Sequence, residues 1–193
     1  MPAHRSARDR LFSAAAELIG ERGFHGTTVD DIVERAGVAK GTVYYHFKSK
    51  EALFDALLSE HLAHLAEAFR AAVDAVGSPA EALQALIRTE LDYIQANRAV
   101  SKLFMSEVWR ADRAWCDTLQ VLRERYVSVF REVLDAGVAT GAFRADLDPA
   151  LAASALFGTV ATAALDWLVF NPERDIEAVA RSVQSLVVRA VSA

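Results

Sequence analysis

The sequence predicts an all-α protein of about nine helices, with a three-helix head at its amino end and a larger helical body behind it. Three observations lead there. Apolar residues recur at three- and four-residue spacing almost throughout, and no stretch alternates with period two for long enough to make a strand. Ala, Leu, Val, Arg and Glu dominate a chain that is 53% hydrophobic, a composition suited to helices. Only 4 prolines and 9 glycines interrupt the 193 residues, and several stand beside capping residues.

Each element follows from its own stripe and caps. Residues 6–21 carry Leu11, Ala14, Ala15, Leu18 and Ile19 on one face and stop at Gly23. Thr28 caps a second helix, 29–35, with Asp31 where a capping box carries its acid, and Gly37 closes it. A very short third helix covers 40–46. Ser49 caps a long fourth, whose stripe of Phe54, Leu58, Leu62, Leu65, Phe69, Ala72 and Val76 runs to Gly77. Ser78, Pro79 and Glu81 supply cap, first-position proline and box acid for a fifth, ending near Asn97. Residues 101–111 make a sixth and 115–139 a seventh, with Trp115, Leu119, Leu122, Tyr126, Phe130 and Val133 along one side. Asp148 and Pro149 open an eighth, 149–170, and Asn171-Pro172 leads into a ninth, 172–191. The expected domains are 1–50 and 51–193.

Charge separates the same two parts. Residues 1–50 hold 8 Lys/Arg against 6 Asp/Glu, net +2, while 51–193 hold 13 against 20, net −7. A mildly basic head on an acidic body suggests a polyanion at one end only. Cys116 is the only cysteine, which excludes an intrachain disulfide and a multi-cysteine metal site and suggests a reducing compartment. With no apolar secretion signal in MPAHRSARDR, a cytoplasmic protein is expected. Residues 149–170 are long enough to span a bilayer, but Asp166 would be costly in lipid and the flanking residues are acidic, so a buried helix and no membrane are expected.

The head concentrates the chemistry. Between Gly37 and Lys40 lies a turn of about three residues, the spacing of a helix-turn-helix, whose second helix enters the DNA major groove. Lys40 and the N–H groups around Gly41 sit at that helix's positive end, where phosphate is favoured, and Gly41 has no side chain to hold the backbone off a partner. Thr42 offers a hydroxyl and a methyl to base edges; Tyr44, Tyr45, His46 and Lys50 offer donors to phosphates. Val43 and Phe47, four apart, face the core, whereas Tyr44 and Tyr45 point about 100° apart and cannot both do so.

"TTVDDIVERAGVAKGTVYYHFKSKEALF", Thr27 to Phe54, resembles the amino-terminal signature of TetR-family transcriptional regulators: a threonine cap, "AGV", "KGTVYYHF", then "KSKEAL". The resemblance covers the whole head, and the helix count and length fit the rest. It implies a homodimer that binds a near-palindromic double-stranded DNA operator, usually to repress, and lets go when a small molecule binds the body. Carried over by position, it puts Lys40, Gly41, Thr42 and Tyr44 near bases and Thr28, Tyr45, His46 and Lys50 at phosphates. Ala39 departs from the pattern, since many members have Ser or Thr there as cap and phosphate contact.

In the body, the resemblance assigns helices eight and nine to a four-helix dimer interface. Ala155, Gly158, Ala161 and Leu165 offer small surfaces on one, and Val183, Leu186, Val187 and Ala190 an apolar stripe on the other. Tyr93, Phe104, Trp109, Tyr126 and Phe130 are candidate lining for a small hydrophobic effector, and Glu107, Thr162 and Asp166, set in apolar helices, are its candidate polar groups. "ALFGTVATAALDWLV", Ala155 to Val169, is similar to the eighth helix of acyl-CoA-responsive members, so an acyl-CoA or fatty acid is one candidate effector and a generic hydrophobic ligand another.

No cofactor or metal is expected. His61 and His64 lack a third ligand, and no phosphate loop, nucleophile elbow or paired-carboxylate motif appears. The rival readings are an enzyme or helical small-molecule-binding protein that uses the aromatic chamber, and an interaction protein with a vestigial head.

Overall fold

The structure is a computed structural model; it describes residues 6–108 and 116–193, without the side chains of 105–108, 116–119 and 121–123. Among the described residues there are nine helices: α1 (Ala7–Arg22), α2 (Val29–Ala36), α3 (Lys40–His46), α4 (Lys50–Asp74), α5 (Pro79–Ala96), α6 (Arg98–Val108), α7 (Cys116–Ala139), α8 (Pro149–Phe170) and α9 (Ile176–Val191). They fall into two compact units. One holds residues 6–61 with 99–108, and the other 62–98 with 116–193, so α4 contributes to both.

The first unit is built on α1, α2 and α3. Ser6 and Asp9 close a capping box on α1, and Thr28 and Asp31 close another on α2. Gly37 ends α2 at φ 61°, a left-handed conformation that glycine adopts without a Cβ penalty. Leu11, Leu18 and Ile19 of α1, Ile32 of α2, Val43 of α3, and Leu53, Phe54 and Leu58 of α4 are buried. The Phe12 and Phe47 rings meet at 5.6 Å, and Phe24 and Phe54 at 5.2 Å. These contacts fix the angle at which α3 leaves the turn.

In the second unit, α5 packs on α7, α8 and α9, α7 on α8, and α8 on α9. Phe69, Leu83, Leu86, Ile87, Leu91, Tyr126, Phe130, Leu134, Val160 and Trp167 lie in one core. The chain turns after α7 by laying Phe143 against bare Gly137; a Cβ there would sit 1.9 Å from the Phe143 ring. Trp167 donates its indole N–H to the Arg174 carbonyl oxygen at 2.9 Å, and Asp175 caps α9. That turn delays α9 to residue 176, four residues beyond the sequence expectation. Helix α8 meets the length and apolarity of a membrane span, and it buries Ala153, Leu156, Val160, Ala164, Trp167 and Leu168 within this unit.

Candidate nucleic-acid interface and effector site

The helix-turn-helix forms with α3 presenting one face to the core and the other outward. Val43 and Phe47 are buried, while Tyr44 and Tyr45 are 54% and 85% exposed. Both tyrosines therefore stand outward, although an aromatic ring gains nothing from water. The Tyr45 and His46 rings meet edge to face at 5.1 Å, which orients the two side chains together. Gly41 is exposed, and a Cβ added to it would meet nothing within 4 Å. Helix packing does not require this glycine, which weakens a helix by about 1 kcal/mol relative to alanine. Ala39 makes no side-chain cap, so the amino end of α3 leaves its N–H groups uncapped by a hydroxyl.

The cations here are partly committed. Lys40 is exposed and its ammonium lies 2.7 Å from Asp30, whose hydrogen bond holds the lysine above its ordinary range. This surface pair is cheap to exchange for another anion. Thr28 is exposed, but its hydroxyl is engaged with Asp31 at 2.6 Å, and that bond lowers the Asp31 pKa. Thr42 is half-buried, one residue before buried Val43.

Lys50, expected at a phosphate, has partners within its own chain. Its ammonium donates to the carbonyl oxygens of Phe24 at 2.8 Å and Thr27 at 2.9 Å, and lies 4.2 Å from the centre of the Phe24 ring. It ties the α1–α2 turn to the start of α4. Two carbonyls take two of its three N–H donors in a half-buried setting, whereas Lys40, Tyr44, Tyr45 and His46 present exposed donors.

The expected chamber residues separate. Tyr126 and Phe130 of α7 are buried in the second unit with Phe69 of α4: Phe69 lies 5.0 Å from Tyr126 and 5.4 Å from Phe130, and Phe157 of α8 meets Tyr126 edge to face at 4.6 Å. Tyr93 of α5 is half-buried, and burial pushes its hydroxyl up to about 12. Phe104 is buried but belongs to the first unit. Trp109 and the Glu107 side chain lie outside the described residues. Thr162 and Asp166 are exposed on α8, and Asp166 accepts a hydrogen bond from the Asn171 amide at 3.0 Å. Neither is a buried polar group seeking a ligand. Helix α8 is apolar on both faces, so its periodicity did not separate inside from outside.

One polar group in this core escaped the sequence reading. Glu90 of α5 is fully buried, and the Tyr126 hydroxyl donates to its Oε1 at 3.2 Å. Its Oε2 has no partner among the described residues. Burial pushes the carboxyl well above its ordinary range, the Tyr126 hydrogen bond acts in the opposite direction, and the balance favours the neutral acid. In the neutral acid, with Oε1 accepting, the proton lies on Oε2, a buried donor with no acceptor among the described residues; such a group costs roughly 1–3 kcal/mol. The signal was present: Glu90 falls on the same face as Leu83, Leu86, Ile87, Leu91 and Ile94.

The expected dimer stripes also divide. On α8, Ala155 is exposed and Gly158, Ala161 and Leu165 are half-buried, beside Leu151, Val169 and Phe170 at 68%, 47% and 73% exposure. On α9, Leu186 and Ala190 are exposed, whereas Val183 and Val187 are buried in the unit's own core and have almost no surface left to offer a second chain.

Comparison with known proteins accounts for both parts. Residues 11–57 match the profile of bacterial regulatory proteins of the tetR family, and residues 76–191 match the tetracyclin repressor-like C-terminal domain. The chain is 33% identical over 181 residues to the HTH-type transcriptional repressor KstR2 of Rhodococcus jostii, covering 93% of this chain and 88% of that protein. Its fold is similar to that of Bacillus subtilis FadR in complex with stearoyl-CoA, at TM-score 0.85 and 25% identity over 93% of this chain and 96% of that one. It is also similar to the ketosteroid transcriptional regulator KstR2 of Mycobacterium tuberculosis, at TM-score 0.80 and 27% identity over 98% and 96% of the two chains. The chain therefore belongs to the TetR family of bacterial regulatory proteins and is a ligand-responsive, DNA-binding transcriptional regulator.

Proposed function

We propose that the protein acts as a cytoplasmic homodimer that represses transcription from a near-palindromic operator and is released by a largely apolar effector carried in the second unit. The observation that carries the DNA-binding half is the outward face of α3: Lys40, Tyr44, Tyr45 and His46 project from a helix whose Gly41 is open to approach. Phosphates take the tyrosine and histidine donors and Lys40 in exchange for Asp30, and Thr42 reads a base edge near the groove. Thr28 and Lys50 hold the frame on which these donors stand.

The dimer face runs along α8 and α9 through Leu151, Ala155, Gly158, Leu165, Phe170, Leu186 and Ala190. Large apolar side chains exposed together favour a partner surface, and a Cβ on Gly158 would meet nothing within 4 Å in its own chain. Two-fold symmetry places two recognition helices about one DNA turn apart.

For the effector, the aromatic core around Tyr126 and the relatives' associations with stearoyl-CoA and ketosteroids favour an acyl-CoA or a comparably apolar ligand. The test is selection of binders from randomised DNA duplexes by the purified protein at moderate salt, where phosphate contacts still hold. An enriched inverted repeat, released on adding stearoyl-CoA or a steroid thioester, is the expected outcome. A folded dimer that enriches no sequence would sink the operator reading.

A further inference from the structure

Glu90 has a polar atom that none of the described residues uses. It is supplied by α5 and held at Oε1 by the Tyr126 hydroxyl of α7, whose ring packs against Phe69 of α4 and Phe157 of α8. Buried apolar neighbours flank it along α5, and the titratable groups beside it among the described residues are Tyr126 on α7 and, one turn along its own helix, Tyr93. Among the described residues no cation acts on Glu90. Tyr93 and Phe157 are the half-buried members of the cluster, so the site borders on accessible surface at those two rings.

An unpaired carboxyl oxygen destabilises a purely structural core, where methionine or leucine would pack better. Its retention points to an acceptor that arrives with a ligand. We propose that Glu90, with Tyr126 behind it, recognises a neutral carbonyl oxygen on an otherwise apolar ligand by donating a hydrogen bond from Oε2. An anionic head group is disfavoured at this point, because no described residue places a positive charge there to offset its desolvation. The inference rests on the effector reading above and narrows it to one functional group, a carbonyl that a thioester or a ring ketone would supply.

The experiment is displacement of a polarity-sensitive dye from the purified full chain by probes matched in length: methyl decyl ketone, dodecane and dodecanoate. The wild-type protein is expected to prefer the ketone over both others by about tenfold, the worth of one buried hydrogen bond. Glu90→Met should erase the preference for ketone over alkane. Glu90→Gln should keep it, since the amide still donates to the carbonyl and accepts from Tyr126. Equal binding of the three probes by wild type, or a preference that survives in Glu90→Met, overturns the proposal. The wild-type ratio decides the matter even if the methionine variant does not fold. Displacement of bound ketone by stearoyl-CoA assigns the carbonyl to a thioester, displacement by androstenedione assigns it to a ring ketone, and displacement by neither overturns the class. No DNA enters these measurements. A protein that selects an inverted repeat but shows no ketone preference loses this inference alone, and one with the preference but no selected duplex loses the operator reading alone.

Discussion

The Lys50 ammonium lies 2.8 Å from the Phe24 carbonyl oxygen and 4.2 Å from the centre of that residue's ring, an inward bond that spans 26 residues of chain. A lysine in this position of a recognition head is easily read as a phosphate contact, and the two roles predict different salt behaviour. A phosphate contact contributes about one unit to the slope of log affinity against log salt. Lys50→Ala is therefore expected to lower stability by roughly 2 kcal/mol, through two orphaned carbonyls and a lost cation–π contact. Operator affinity should fall while its salt slope stays unchanged. Lys40→Ala should do the reverse, reducing the slope with little change in melting temperature, because its partner Asp30 is a surface pair. Binding titrations at several salt concentrations, beside thermal melts, check both.

Gly41 yields a prediction in which stability and function move in opposite directions. Its surroundings are empty to 4 Å, so alanine fits and should stabilise α3 by about 1 kcal/mol. If the backbone there approaches DNA, the added methyl should weaken operator binding by tenfold or more. A more stable variant with unchanged operator affinity would mean that α3 enters the groove by a different edge.

What could be read from sequence was what local chemistry decides. Thr28 and Asp31, three residues apart, make their capping box with each other, and the Gly37-to-Lys40 spacing fixes the turn, so the helices of the head were legible. Lys50 was not, because its partners Phe24 and Thr27 meet it only through tertiary packing. The body was legible as helices and much less as a site. Thr162 and Asp166 drew attention as polar residues in an apolar helix, yet α8 is apolar on both faces and they lie on the outer one. Glu90 drew none, although it interrupts a clean apolar face, the one place where periodicity would have revealed a buried acid.

The turn after α7 gives a stability prediction free of any functional assumption. A Cβ at Gly137 would lie 1.9, 2.2 and 2.7 Å from three atoms of the Phe143 ring, itself almost fully buried. Phe143 cannot retreat as a flexible surface chain would. Gly137→Ala is expected to cost about 3 kcal/mol by overpacking, read as a lower denaturation midpoint. Gly137→Ala combined with Phe143→Leu should recover part of that loss, since the clash is between those two positions.

Dimerisation rests on side chains that their own protomer leaves outside. Leu186 is 62% exposed on α9, so Leu186→Glu should leave the fold of the protomer intact. In a two-fold interface the substitution acts twice, and it should weaken association by about a hundredfold or more. Val187→Glu, at a position 1% exposed, should instead unfold the second unit. Sedimentation equilibrium beside far-UV melting separates the two outcomes; unchanged association in a folded Leu186→Glu variant would move the interface off this face.

Glu90 predicts a pH dependence whose sign follows from its burial. In the folded protein the carboxyl stays protonated well above the ordinary carboxylate range, whereas in the unfolded chain it ionises near pH 4.3. Between those limits the unfolded state binds fewer protons than the native state. Stability therefore falls as pH rises, by about 1.4 kcal/mol per unit for this one group, and the loss is absent below the unfolded value. Glu90→Gln cannot ionise and keeps an acceptor for the Tyr126 hydroxyl, so it lacks that slope. The variant should match the wild type near pH 4 and become progressively more stable than it from about pH 5 upward, until the folded carboxyl itself ionises. Denaturant unfolding of both proteins across that range checks the difference. A constant difference from pH 5 to about 8 would mean that Glu90 is ionised in the native core, and so has found a cation rather than waiting for a carbonyl.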